Sequence, residues 1–297
     1  MFRALVSAVA LVLVGTSVAA ENKPSALSDQ PSVATESRQL TADSASAAPQ
    51  PSPNDSPLYD ADAEREFLAL ANDARAQAGL PPLQMDEGLA RAARAHAAAM
   101  VAQQQLSHQL PGEPSLAQRL AATCALHLDH AGENVAYAGS IEQAQDGLMH
   151  SPPHRENLLN PAYNLAGMGV VWSGFVLYVA QDFGHALPTY SAPEADQAVS
   201  DAITRTRRAA SLTPLSRVDD RDAQAVACSM AQADSINTPG PRDHAVMRYT
   251  TMQPEVVPDG AAKIIDDRRA RAYSVGSCYA RTATYPSGVY WVALILY

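Results

Sequence analysis

The sequence predicts a mixed α+β fold with helices packed on a sheet, and three observations predict it. Apolar residues recur at helical spacing from about residue 60 to residue 150, then alternate with polar ones between residues 167 and 183. Helices first and strands later imply a layered domain with a sheet between helices. The string Leu80-Pro81-Pro82-Leu83 also has a counterpart, Leu212-Thr213-Pro214-Leu215, 132 residues later.

Each element has its own signal. Asp60 or Asp62 can cap a first helix with Phe67, Leu70, Ala71, Ala74 and Ala78 on one stripe, ending at Gly79. After the rigid Leu80 to Leu83 connection, Asp86 caps a second helix striped by Leu89, Ala93, His96, Ala97 and Met100, which points His96 into the core. Further helices are expected over Leu116 to Ala122 and from Ser140, with Gln143 three residues on, to about Met149. Residues 124–138 read as loop and turn. Ser151-Pro152-Pro153 ends the preceding helix through its fixed φ angles. Gly167 to Trp172 and Phe175 to Phe183, joined by Ser173-Gly174, read as a hairpin.

The chain of 297 residues is long enough for two domains, each with its own core. Arg3, the apolar run from Ala4 to Val14 and the small residues Val18-Ala19-Ala20 read as a signal peptide over residues 1–20, with no membrane span left after its cleavage. Residues 21–57, rich in Ser, Ala and Pro, have too few large apolar side chains to order themselves and read as a linker; a pro-segment is the alternative. The protein is then secreted, to the extracellular medium or a periplasm. A formal charge of -10 without a basic patch argues against nucleic acid and anionic membrane as partners. Of three cysteines, Cys228 and Cys278 lie in the same half and can pair, which leaves Cys124 single.

A first domain is expected over residues 58–188 and a second over residues 194–297. At the offset of 132, Ala74-Arg75 meets Thr206-Arg207 and His96 meets Cys228, and the hairpin pattern returns near Pro286-Ser287-Gly288. The second domain then reads as a degenerate copy of the first. Chance similarity of common helix and hairpin patterns is the alternative, and a different strand order in the two halves would establish it. Seven of the eight histidines lie between His96 and His185, so the polar chemistry is expected in the first domain.

Three separate segments carry that chemistry. Ser107-His108 offers an imidazole from a loop, Gly132-Glu133-Asn134 a carboxylate, and Ser151 to Asn157 a second imidazole, His154. Neutral imidazoles bind zinc-like ions, and a carboxylate completes the shell or orients a ring. Cys124, His127, Asp129 and His130 form a second, weaker candidate set on one short stretch. No nucleophile elbow, phosphate-cradling loop or paired Cys-x-x-Cys is present.

The stretch from about Asp60 to Gly184 resembles the CAP superfamily, the cysteine-rich secretory, antigen 5 and pathogenesis-related proteins, in its bacterial secreted form. The residues that carry the resemblance are Asn72, Arg75, Leu80 to Leu83, Ser107-His108, Gly132-Glu133-Asn134, Ser151 to Asn157 and Gln181-Asp182-Phe183. It implies a three-layer α-β-α sandwich with two histidines and two acids in a central cleft, sometimes with a divalent metal. His108, Glu133 and His154 match three of the four, and the second acid would fall at the uncharged Ser151. The expected ligand cleft is therefore His108, Glu133, Ser151 and His154, with His108 and His154 as metal ligands for Zn or another divalent ion. The expected function is binding of a small molecule, lipid or cell-surface component. Metal-assisted or general-base hydrolysis of peptide or cell-wall material is the alternative, with His108, Glu133 and His154 as candidate catalytic groups.

Overall fold

A computed structural model of the protein describes residues 9–14, 17–22, 59–219, 221–241, 244–266 and 268–297; half of the expected leader and all but the first two residues of the linker lie outside them. The chain divides into two compact units. Among the described residues, one comprises residues 59–124 and 130–185, the other residues 9–14, 17–22, 125–129 and those from 186 onward. The latter includes an antiparallel hairpin of β1 (Val9–Val14) and β2 (Ser17–Asn22).

In the N-terminal unit, α1 (Ala61–Gln77) starts where the Asp60 carboxylate accepts the Ala63 amide at 3.0 Å. It stops before Gly79, whose φ of 73° suits a residue without a side chain. A short β3 (Gln84–Met85) leads to α2 (Glu87–Gln103), capped by Asp86 through the Leu89 amide at 2.9 Å. Then come α3 (Leu116–Thr123), β4 (His127–Ala138), α4 (Ile141–His150), α5 (Pro152–Leu158), β5 (Leu165–Ser173) and β6 (Val176–Leu187). The strands lie in the order β3-β5-β6-β4, with β3 parallel and β6 antiparallel to β5.

Two surfaces of that sheet are covered. On one, α2 lies so close to β5 that a Cβ on Gly167 or Gly169 would fall 2.1 or 2.3 Å from the helix backbone. Glycine here makes room for the helix. On the other, Phe67 and Ala71 of α1, Leu148 of α4 and Leu158 of α5 form one core with Met168, Val179 and Phe183. The result is a helix-sheet-helix sandwich.

Two expectations for this unit fail. Residues 127–138 are a twelve-residue strand, with its first three residues in the other unit, instead of a loop and turn. Both of its faces are covered, so burial runs continuously from Ala131 to Val135 and the alternation that signals a strand is lost. Pro152 and Pro153 end α4 but also begin α5, because the first turn of a helix needs neither of the amide hydrogens that proline lacks.

The C-terminal unit continues with α6 (Ala192–Ala209), entered through a capping box of Ser191 and Glu194, then β7 (Ser216–Arg217), α7 (Arg221–Ala233), β8 (Ala245–Thr251), α8 (Asp259–Ile265), β9 (Ala272–Ala280) and β10 (Val289–Leu296). Its sheet runs β1-β2-β8-β10-β9-β7. Beyond the β1–β2 hairpin, its order matches that of the first sheet strand for strand, with β7 parallel and β10 antiparallel to β9. The Arg75 guanidinium donates to the carbonyls of Pro81, Leu158 and Asn160, and Arg207 donates to those of Thr213 and Ile265. Gly276 meets the α7 backbone as Gly167 and Gly169 meet α2. Cys228 of α7 is bonded to Cys278 of β9, the pairing the sequence allowed, and Cys124 is buried and in no disulfide.

Candidate functional site

Strand β4, helix α5 and two loops of the N-terminal unit converge on one polar cluster. His108, in the loop after α2, is about half exposed (49%) and holds its Nδ1 at 3.0 Å from Glu133 Oε1. Glu133 is buried on β4. His154, in the first turn of α5, has its Nδ1 at 2.9 Å from the Ser151 hydroxyl. The two rings lie 6.1 Å apart, centroid to centroid. The structure thus brings together all four residues the sequence singled out for the cleft.

The strings around them work as holders. Gly132 is needed because a Cβ there would meet the Tyr163 hydroxyl at 2.3 Å. Asn134 donates to the His154 carbonyl at 3.0 Å and to Gln181 Oε1 at 3.2 Å, and Asn157 donates to the Glu133 carbonyl at 2.9 Å. Strand β4 and helix α5 are therefore tied to each other beside the two reactive groups.

Ser151 does not act as the substitute for a second acid; its hydroxyl orients His154. The additional acids are Glu113 and Asp182. Glu113 accepts from His96 Nδ1 at 2.7 Å and pairs with Arg119 at 3.2 Å. Arg119, on α3, also binds Glu133 Oε2 and donates to the His108 carbonyl at 3.2 Å. His96 is wholly buried, as its stripe predicted, and its Nε2 lies 2.9 Å from the Ser107 carbonyl and 3.7 Å from Glu133. Asp182 is wholly buried on β6 with no donor in hydrogen-bond geometry at either oxygen.

These surroundings set the charges. Burial alone would raise the Glu133 carboxyl, but the His108 hydrogen bond and the charges of His96 and Arg119 outweigh it and hold the group below the ordinary carboxylate range. Asp182 goes well up, first through burial and then through the negative Glu133 nearby. Burial and the neighbouring His108 push His154 down, which favours its neutral ring.

Sequence reasoning left out Glu113, Arg119 and Asp182 as site residues. Each had a signal. Glu113 is an acid in a short Pro/Gly loop close behind His108, Arg119 stands next to the buried Leu120, and Asp182 interrupts an apolar hairpin. Cys124 and His127 of the weaker set separate from Asp129 and His130. Cys124 Sγ lies 3.7 Å from Asp86, His127 packs against Tyr279 and Tyr290 in the C-terminal unit, and the His130 ring meets His185. A surface groove lined by Met149, Pro152, Arg155 and Leu159 follows the corner of α4 and α5; neither His108, Glu133 nor His154 lines it.

Residues 68–183 match the model of the cysteine-rich secretory protein family, CAP. They form a CAP domain. The domain is 34% identical over 116 residues to the uncharacterized protein YkwD of Bacillus subtilis, a stretch that is 38% of this chain and 44% of that protein. The uncharacterized membrane protein YlbC of the same organism is 35% identical over 111 residues, 36% of this chain and 31% of its own. The chain thus spans less than half the length of these curated relatives. A crystal structure of an extracellular SCP-domain protein from Bacillus anthracis matches with 29% identity over 42% of this chain and 40% of that one, at a TM-score of 0.39. Among the described residues, no helix is long and apolar enough to cross a membrane.

Proposed function

We propose that the CAP domain is an exported binding module whose cleft takes a small ligand together with a divalent ion such as Zn²⁺, held by His108 and His154. The observation that carries this reading is the state of the four ring nitrogens. Both Nδ1 atoms are engaged, by Glu133 and by Ser151, and among the described residues neither Nε2 atom has a hydrogen-bond partner. That is the arrangement of metal-ligating imidazoles, in which a second-shell group fixes the ring and leaves the other nitrogen for the ion. Two protein ligands leave coordination positions for water or a ligand, and the ion would supply Lewis acidity there. The depressed basicity of His154 keeps its ring neutral at neutral pH, as a ligand must be.

Binding is favoured over hydrolysis by the condition of Glu133. A carboxylate clamped between Arg119 and His108 and held below its ordinary range is a poor acceptor of a proton from water. The ligand class is a small molecule, a lipid or a cell-surface component. Export follows from a leader cleaved after Ala20, which takes β1 and most of β2 from the C-terminal sheet, and the rest of the C-terminal unit is a degenerate copy of the first. The shared strand order and the matched Arg75 and Arg207 support that last reading.

Calorimetric titration of the full chain with zinc tests the proposal. Binding is expected with about one ion per chain, weakening as pH falls through the imidazole range. The double variant H108A/H154A should abolish it while the fold persists by circular dichroism. Equal heats from both proteins, or none from the native one, contradict the proposal, and loss of stability alone in the variant would make the pair a structural brace.

A further inference from the structure

We propose that the C-terminal unit binds a small oxyanion, a carboxylate or phosphate group, on the buried guanidinium of Arg248. Arg248 sits on β8 opposite Ala293 of β10 and is 4% exposed. No described carboxylate forms an ion pair or hydrogen bond with it, and its Nε has no acceptor. Burial lowers its basicity, as expected of a cation removed from water without a counter-charge.

The side chain has a defined place. Val246, two residues earlier on the same strand, packs with Ala227 and Met230 of α7, so the alternation of β8 turns Arg248 to that face. One terminal guanidinium nitrogen lies against Gly240, where a Cβ would stand 2.4 Å from it, beside Val226 of α7. Trp291 shares this core; it pairs across the sheet with Thr250, is almost wholly buried, and its indole Nε1 has no acceptor. Thr238, in the loop two residues before Gly240, has a buried hydroxyl without a partner. Arg248 and Trp291, two buried donors on one side of one sheet without acceptors among the described residues, call for an acceptor from outside.

Charge narrows its kind. Water could accept the hydrogen bonds but leaves the positive charge uncompensated in an apolar wall, whereas a two-oxygen anion matches the guanidinium fork and neutralises it. The N-terminal unit shows the contrast. On β4, the strand at the corresponding place in the sheet order, Glu133 is answered by Arg119, while Arg248 has no such answer among the described residues. The inference concerns the C-terminal unit alone and stands or falls independently of the metal site.

The test uses the full chain carrying W172F, which leaves Trp291 as the single tryptophan reporter. Sodium phosphate and sodium acetate are titrated against sodium chloride at matched ionic strength, with Trp291 emission and thermal melting as readouts. A saturable change in emission and a raised melting temperature with phosphate or acetate are expected, and the anion that acts identifies the source. R248Q should lose the response. R248K keeps the charge and the fold but not the fork, and should bind about tenfold more weakly. The proposal is overturned if neither anion acts beyond chloride, which means the charge is met within the chain, or if R248K responds as the native residue does. Should R248Q fail to fold, R248K decides.

Discussion

Arg119 ties three pieces of the cleft together: Glu113 from its loop, Glu133 from β4, and the backbone of His108. Its removal leaves the buried Glu133 and the partly buried Glu113 without their shared cation. R119M is expected to destabilise the N-terminal unit by about 3–5 kcal/mol, the usual effect of breaking a buried pair from one side. Denaturant unfolding measures it, and a loss no larger than that of an exposed arginine would show that the pair carries little. Asp182 and Glu133 make opposite contributions to pH dependence. Because the Asp182 pKa is raised on folding, its contribution is present below the ordinary Asp range and is lost as pH rises through the elevated value. Glu133 is lowered, so its contribution is present above the ordinary Glu range and is lost in acid. D182N should therefore remove the alkaline part of the stability loss and leave the acid part, as read from melting temperature against pH. His108, Glu133 and His154 were legible because each sits in a distinctive string. Glu113, Arg119 and Asp182 are single charges in ordinary loop, helix and strand patterns, and only folding places them together.

Caps and turns were legible because their signals are local: Asp60, Asp86 and Ser140 each bind the backbone amide three residues on, as short polar side chains at helix starts do. Strand β4 and helix α5 were not, because the signal for one is erased by burial on both faces and the other begins at prolines usually read as a stop. The docking of α2 on β5 depends on backbone closeness that no hydrophobic pattern encodes. It yields a paired prediction. G169A places a methyl 2.3 Å from the α2 backbone and should cost upwards of about 2 kcal/mol. Gly147, on the exposed side of α4, has nothing within 4 Å, so G147A should stabilise by about 0.5–1 kcal/mol. Thermal melts of the two variants should move in opposite directions, and a tolerated G169A would mean that the helix does not lie where the structure puts it.

Two units of the same strand order carry different interiors. The first keeps His96, Glu113, Arg119 and Glu133 as a polar network, while the second has Cys228 at the position the 132-residue offset sets against His96 and closes it onto Cys278. Cross-linking across 50 residues is worth about 4 kcal/mol by loop-closure entropy, so C228S/C278S should lower the stability of the C-terminal unit by up to that amount. Unfolding followed by Trp291 emission checks it; an unchanged midpoint would show that the bond is not formed in solution. The sequence suggests a repeat through the Arg75 and Arg207 turns, and the two sheets share one strand order beyond the β1–β2 hairpin. In the proposed site of the first unit, His108 and His154 present their Nε2 atoms to one ion. Nitrogen NMR of the labelled full chain during zinc addition tests this most directly. Both Nε2 resonances should shift together, with both Nδ1 resonances keeping their hydrogen-bonded character; a response at one ring only, at Nδ1, or at neither would contradict it.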